Sequence, residues 1–239
     1  MGTLPLFEDM IVKAPLTEGI KYAGSKLRLL PNILAMIRKV DAKTILDGFS
    51  GTTRVSQALS KVGYRVVSND VALWSQIFGA CYPLNTHDKT YYSELIRHLN
   101  SLPPKNGWFT EHYGGHPNGG NAIQDDGRER PWQIHNTKKL DAIRDEIDNL
   151  SLTEVEKSVA LTSLILALDH VDNTLGHYVS CLKDWSPRSY NILTLEVPSL
   201  FVSGNNHEVH RGDIFDLADP PEIDLAYYDP PYGSNNEKM

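Results

Sequence analysis

Residues 44–70 constrain the fold more than any other stretch of the chain. Thr44-Ile45-Leu46 is a short apolar run suited to a buried strand. It leads into Asp47-Gly48-Phe49-Ser50-Gly51-Thr52-Thr53, a loop of mostly small residues. From 53 to 62 the chain takes helical spacing, with Val55, Leu59 and Val62 on one face. Tyr64-Arg65-Val66-Val67-Ser68-Asn69-Asp70 then reads as a second strand that ends in an acid. Strand, tight loop, helix and strand in this order form half of a nucleotide-binding parallel sheet. Gly51 lets backbone come close to a ligand, and Asp70 follows the first strand at roughly the twenty-residue spacing of a ribose-binding acid. The loop is not a dinucleotide fingerprint, because Thr52 and Thr53 replace its later glycines. It suits a nucleoside without a pyrophosphate; the alternative is an α/β sheet with no ligand.

A second block lies near the carboxyl end. Leu225-Ala226-Tyr227-Tyr228 reads as a buried strand, and Asp229-Pro230-Pro231-Tyr232 follows directly. Ligands of open α/β sheets bind at the carboxyl ends of strands. Each proline fixes φ and removes an N–H, so neighbouring carbonyls have no adjacent amide donor. Such a turn offers an amine two acceptors, the Asp229 carboxylate and the Pro230 carbonyl, and offers a ring the face of Tyr232. The alternative is a proline-stiffened loop.

The third block, Lys21-Tyr22-Ala23-Gly24-Ser25-Lys26, opens an amphipathic helix with Leu27, Leu30, Leu34 and Ile37 on its apolar side and Ser25 as its N-cap. Two lysines at a helix start suit a carboxylate or phosphate; a capped surface helix with solvated lysines fits the same residues.

Composition narrows the field. At 239 residues, 41% hydrophobic and 22% charged, the chain can bury a real core in one large or two small domains. No run approaches the ~18 apolar residues of a membrane helix. The first ten residues lack the basic and long apolar regions of a secretory signal. Cys81 and Cys181 are too few for a disulfide framework, and His112, His116, His135, His170 and His177 have no zinc-like spacing; a reducing cytoplasm and no metal are expected. The net charge of −7 argues against a sequence-blind grip on phosphates, although basic residues crowd the first fifth of the chain.

The order of the blocks, with Arg211-Gly212-Asp213-Ile214-Phe215 before the Asp-Pro-Pro-Tyr turn, resembles adenine-N6-specific DNA methyltransferases. The resemblance is to the branch holding Dam-type enzymes and restriction–modification methylases. It runs from about Gly19 onward and includes Asn136-Thr137-Lys138-Lys139-Leu140-Asp141-Ala142-Ile143-Arg144 and Asp172-Asn173-Thr174-Leu175-Gly176-His177-Tyr178.

The resemblance implies an α/β, Rossmann-like S-adenosylmethionine-dependent methyltransferase sheet with a mainly helical insertion. Tyr22 and Lys26 would hold the methionine end of S-adenosylmethionine; Phe49, Ser50, Gly51 and Thr52 would line the loop beneath it; Asp70 would take the ribose hydroxyls; Asp213 and Ile214 would meet its adenine. Asp229, Pro230 and Tyr232 would receive a flipped adenine of double-stranded DNA, with Asp229 also bordering the cofactor. Thr53 departs from the family pattern, standing where many relatives have a second glycine.

Residues 18–82 and 206–239 are expected to form the cofactor and catalytic domain, and 83–205 an inserted target-recognition region. Helical stretches fall at 91–99, 136–150 and 152–170, with a polar, glycine-rich loop at 107–132 between them. A helical lid over the cofactor is the other reading of that insertion. Only seven residues follow Tyr232, so the expectation is a fragment, a sheet completed by a separate chain, or a truncated sheet with an exposed edge. A restriction endonuclease is a further expected partner. An inactive S-adenosylmethionine- or DNA-binding fragment and a methyltransferase for ribosomal RNA adenines are the competing expectations.

Overall fold

A computed structural model of the chain describes residues 13–21, 24–175, 180–217 and 222–230. In chain order its main elements are α1 (Leu30–Ile37), β1 (Thr44–Asp47), α2 (Arg54–Lys61), β2 (Arg65–Asp70), α3 (Leu73–Cys81), α4 (Ser93–Ser101) and α5 (Trp108–Tyr113). These are followed by β3 (Gly114–Gly115), β4 (Trp132–Gln133), α6 (Ile134–Asn149), α7 (Glu154–Val171), β5 (Glu208–Arg211) and β6 (Leu225–Tyr227). The chain divides into two compact units. One comprises Met1–Thr17, Lys26–Leu84 and Ser203–Met239; the other comprises Glu18–Ser25 and Asn85–Val202.

The first unit carries a parallel sheet of order β5-β2-β1-β6, the Rossmann-like arrangement expected from the sequence. Ile45 pairs with Val66 and Leu225, so the apolar runs of distant segments fall into one register. Leu30, Leu34 and Ile37 of α1 pack with Val55, Ala58 and Leu59 of α2 and with Ile45 and Val66 of the sheet. The helical spacing read from 53 to 62 is realised as α2, with Val55 and Leu59 buried.

Two local expectations change. Ser25 caps no α-helix: a 3-10 turn at Lys26–Arg28 precedes α1, whose N-cap position is Leu29, and Leu27 is half exposed. Pro31 is the reason, because a proline fits the first turn of a helix and would break an interior one. β6 is also less buried than its apolar sequence suggests. Among the described residues it pairs with β1 alone, and Ala226 is exposed.

The second unit is mainly helical. α4, α6 and α7 take up the three expected stretches within one or two residues at each end. Thr153 and Glu156 close a reciprocal capping box at the start of α7. The core joins Ile96 and Leu99 of α4, Leu140, Ile143 and Ile147 of α6, and Leu164, Ala167 and Leu168 of α7. The 107–132 segment, read as loop, contains α5. Asp141 of α6 holds the start of that helix, accepting the N–H groups of Phe109 at 2.9 Å and Thr110 at 2.8 Å. No helix among the described residues is long and apolar enough to cross a membrane.

Candidate active site

The strand order locates a crevice. From β1 the chain moves outward through β2 to β5, then returns to the opposite side of β1 for β6. Strand order therefore reverses between β1 and β6, and ligands of open sheets sit beyond the carboxyl ends at such a switch. Here those ends are Asp47-Gly48-Phe49 and Tyr227-Tyr228-Asp229-Pro230.

The two strand ends are closely fitted. Gly48 donates its N–H to the Tyr227 carbonyl at 3.0 Å. A Cβ at Gly48 would lie 2.6 Å from two carbons of the Tyr228 ring and 3.4 Å from Ile214 Cδ1, so any side chain there would displace the ring. Phe49 meets Tyr228 edge to face, with centroids 6.1 Å apart. Phe49, Tyr228 and Ile214 thus form an apolar, aromatic wall around bare backbone.

Charged groups complete the crevice. Lys26 Nζ lies 2.6 Å from Asp229 Oδ2, both side chains being largely buried. Asp70 uses both carboxylate oxygens: Oδ2 accepts the Gly51 N–H at 2.8 Å and Oδ1 the Ala72 N–H at 2.9 Å. Ser50 N–H donates to the Asn69 carbonyl at 2.9 Å, and Gly212 N–H to the Asp70 carbonyl at 3.1 Å. The buried Asn69 amide donates to the Gly48 and Gly212 carbonyls at 3.4 and 3.1 Å, tying together the loops after β1 and β5. Asp213 accepts the Phe215 N–H at 3.0 Å and so caps the 3-10 turn Ile214–Asp216.

Beneath the loop, Asp47 is fully buried and accepts the Ser56 hydroxyl at 2.6 Å. Burial pushes its carboxyl up to about 6; the Ser56 hydrogen bonds oppose that shift and the charge on Asp70 adds to it.

The sheet unit therefore brings together Lys26, Phe49, Ser50, Gly51, Thr52, Asp70, Asp213, Ile214, Asp229 and Pro230 from segments far apart in sequence. Tyr22 and Tyr232 lie outside the described residues. The two lysines read as one anion site part company. Lys26 pairs with Asp229, whereas Lys21 donates to the Asp169 carbonyl at 2.5 Å and lies 3.4 Å from Asp172 in the helical unit.

Sequence reasoning passed over Gly48, Asn69 and Tyr228, whose contacts build the crevice. Val71 and Phe215 are 67% and 94% exposed, unusual for apolar residues beside the ends of β2 and β5, and both follow an acid within two positions. Among the described residues no three metal-ligating side chains gather.

The whole blocks now stand in one frame, and comparison with known proteins agrees with it: residues 22–239 match the family model of the D12 class N6 adenine-specific DNA methyltransferase. The chain belongs to this family. It is 32% identical over 233 residues to Modification methylase StsI of Streptococcus sanguinis, covering 90% of this chain and 34% of that protein. It is 30% identical over 226 residues to Type II methyltransferase M.NlaIII of Neisseria lactamica, covering 90% and 65% respectively. Modification methylase LlaI of Lactococcus lactis subsp. lactis is 30% identical over 227 residues, with 89% and 36% covered. The chain thus spans between about a third and two thirds of the length of these relatives. For a D12-class methyltransferase the match reaches from the Lys26 turn to the Asp229 loop, so it takes in every element that builds the crevice.

Proposed function

We propose that the chain transfers a methyl group from S-adenosylmethionine to N6 of an adenine flipped out of double-stranded DNA, at a specific sequence, within a cytoplasmic restriction–modification system. The observation that carries this reading is that the strand end bearing the Lys26–Asp229 pair is hydrogen-bonded through Tyr227 to Gly48 at the sheet's switch point.

The crevice fits the cofactor's parts. Bare backbone at Gly48, walled by Phe49, Tyr228 and Ile214, suits a flat ring or thioether-like chain. Asp70, already aligned by Gly51 and Ala72, keeps lone pairs for ribose hydroxyls. Lys26 suits an amino-acid carboxylate, and the nearby carboxylates suit cationic groups. When bound, S-adenosylmethionine supplies a methyl already activated on a sulfonium, so no metal or nucleophilic side chain is needed.

The remaining task is positioning. Adenine's exocyclic nitrogen is a poor nucleophile because its lone pair is delocalised into the ring. The Asp229 carboxylate and Pro230 carbonyl would accept its hydrogens and favour the pyramidal nitrogen, a gain larger in the transition state than before it. Tyr232 would stack on the flipped base and offset its lost stacking. The 83–205 segment would read the DNA sequence, and a cognate endonuclease would be the cellular partner.

Titration calorimetry with S-adenosylmethionine tests the cofactor site. The parent chain is expected to bind, and Asp70→Ala to lose about 1.5–3 kcal/mol, as for hydrogen bonds to a charged group. Equal affinity in both would remove Asp70 from the site.

A further inference from the structure

The chain holds two Asn-Gly steps, Asn106-Gly107 and Asn118-Gly119, and folding treats them differently. In such a step the glycine's amide nitrogen can attack the carbonyl carbon of the asparagine side chain before it. Closure into a cyclic imide needs open space around the glycine and an N–H that is not already committed. Glycine allows the approach because it has no Cβ to crowd the ring.

At Gly107 the space is taken. This residue is the N-cap position of α5, and its carbonyl accepts the Glu111 N–H at 3.1 Å. A Cβ there would lie 2.6 Å from Asp141 Cγ, the carboxylate that also holds the Phe109 and Thr110 N–H groups.

Gly119 is the opposite case. Asn118 and Gly119 are both exposed, and a Cβ on Gly119 would meet nothing within 4 Å. Among the described residues the Gly119 N–H finds no acceptor. The flanks of the turn are held in place. Gly120 N–H donates to the Pro117 carbonyl at 2.7 Å, and the Gly120 carbonyl accepts the Trp185 N–H at 2.8 Å. Asn118, Gly119 and Gly120 have φ of 34°, 65° and 105°, values that asparagine and glycine adopt most readily.

We propose that Asn118 is a site of self-modification, where the side-chain amide converts to a carboxylate that weakens the hold of the 107–132 segment on DNA. The Gly119 nitrogen bonds to Asn118 Cγ, and its proton passes through solvent to the amide nitrogen, which leaves as ammonia. Water then opens the imide at either carbonyl, giving aspartate or isoaspartate. One water is consumed and one ammonia released, with no oxidant or catalyst. Each event adds a negative charge to a segment that already carries Asp125 and Asp126. DNA phosphates repel that charge. The effect on DNA rests on the recognition role proposed for 83–205; the chemistry does not.

The test incubates parent, Asn118→Gly and Asn118→Asp at mildly alkaline pH and follows peptide masses, released ammonia and duplex affinity. Asn118→Gly keeps the positive φ without the amide, and Asn118→Asp carries the final charge from the start. Amide loss at 118 is expected to be at least about tenfold faster than at 106. Asn118→Asp is expected to bind duplex several-fold more weakly at low salt, with a gap that narrows as salt screens the charge. The incubated parent is expected to drift toward that affinity, while Asn118→Gly keeps its own starting value. Loss at 118 no faster than at 106 would overturn the proposal. Modification at 118 with duplex affinity unchanged, in aged parent and Asn118→Asp alike, would overturn its DNA half. A fresh parent that binds no duplex would overturn the recognition reading and that half with it, while the masses still decide the modification.

Discussion

Lys26 Nζ stands 2.6 Å from Asp229 Oδ2, an ion pair between residues at opposite ends of the chain. It ties the turn before α1 to the loop after β6, so the carboxylate expected to receive the target amine has its cation in place. Removing one member leaves the other charge in a largely buried setting, which is more harmful than removing both. Lys26→Met and Asp229→Asn are each expected to slow methyl transfer strongly. The double variant is expected to be hardly slower than the worse single one, with a coupling energy of about 0.5–3 kcal/mol. Single-turnover rates of the four proteins measure it; simple additivity would show that the pair does not act as a unit.

Asp47 gives a pH-dependent prediction. Its folded-state carboxyl, at about 6, lies above the ordinary 3.8. The folded protein thus binds the proton more tightly than the unfolded chain. This group's contribution to stability is complete below pH 3.8 and is lost as the pH rises through about 6. Asp47→Asn removes the buried charge while its amide oxygen still accepts from Ser56. The variant's advantage over the parent is expected to grow between those two pH values and level off at roughly 2–3 kcal/mol. Denaturant titrations of both proteins across that range follow the difference, and a gap that does not change with pH would exclude a charged Asp47 as its cause.

Target recognition is the role proposed for 83–205. If that segment reads DNA, exchanging it for the corresponding segment of a relative with another target should transfer sequence preference. Methylation of a library of duplexes, read by sequencing, shows whether preference follows the segment or stays with the sheet unit. The second outcome would return the segment to the role of a lid.

The sequence disclosed the parts of the fold whose signals are local. Thr44–Asp47, α2 and Arg65–Asp70 follow from apolar period and small-residue punctuation, and the ends of β1 and β6 from short motifs beside them. What escaped reading depends on distant partners. α5 is started by Asp141, some thirty positions further on, and no signal within 107–113 announces that cap. The helix after Lys26 begins late because Pro31 outweighs the Ser25 cap signal, a competition between two local rules. That Lys26 also pairs with Asp229 is a product of folding that nothing near residue 26 announces. The positive φ of Thr53 is invisible in the sequence, since threonine is among the residues least expected there.

The central claim is that Asp229 acts in the chemical step. Asp229 lies at a strand end, so Asp229→Ala is expected to leave the fold intact, as judged by circular dichroism, and transfer is measured at saturating S-adenosylmethionine so that any loss of affinity is kept apart from the chemical step. The decisive measurement is single-turnover transfer of a tritiated methyl from S-adenosylmethionine to adenine-containing duplex DNA. Transfer by the parent and none by Asp229→Ala is the expected result, because the lost hydrogen bond strengthens only as the nitrogen pyramidalises. Undiminished transfer by Asp229→Ala would contradict the account, and a parent that binds the cofactor without methylating DNA would make the chain a binding module instead.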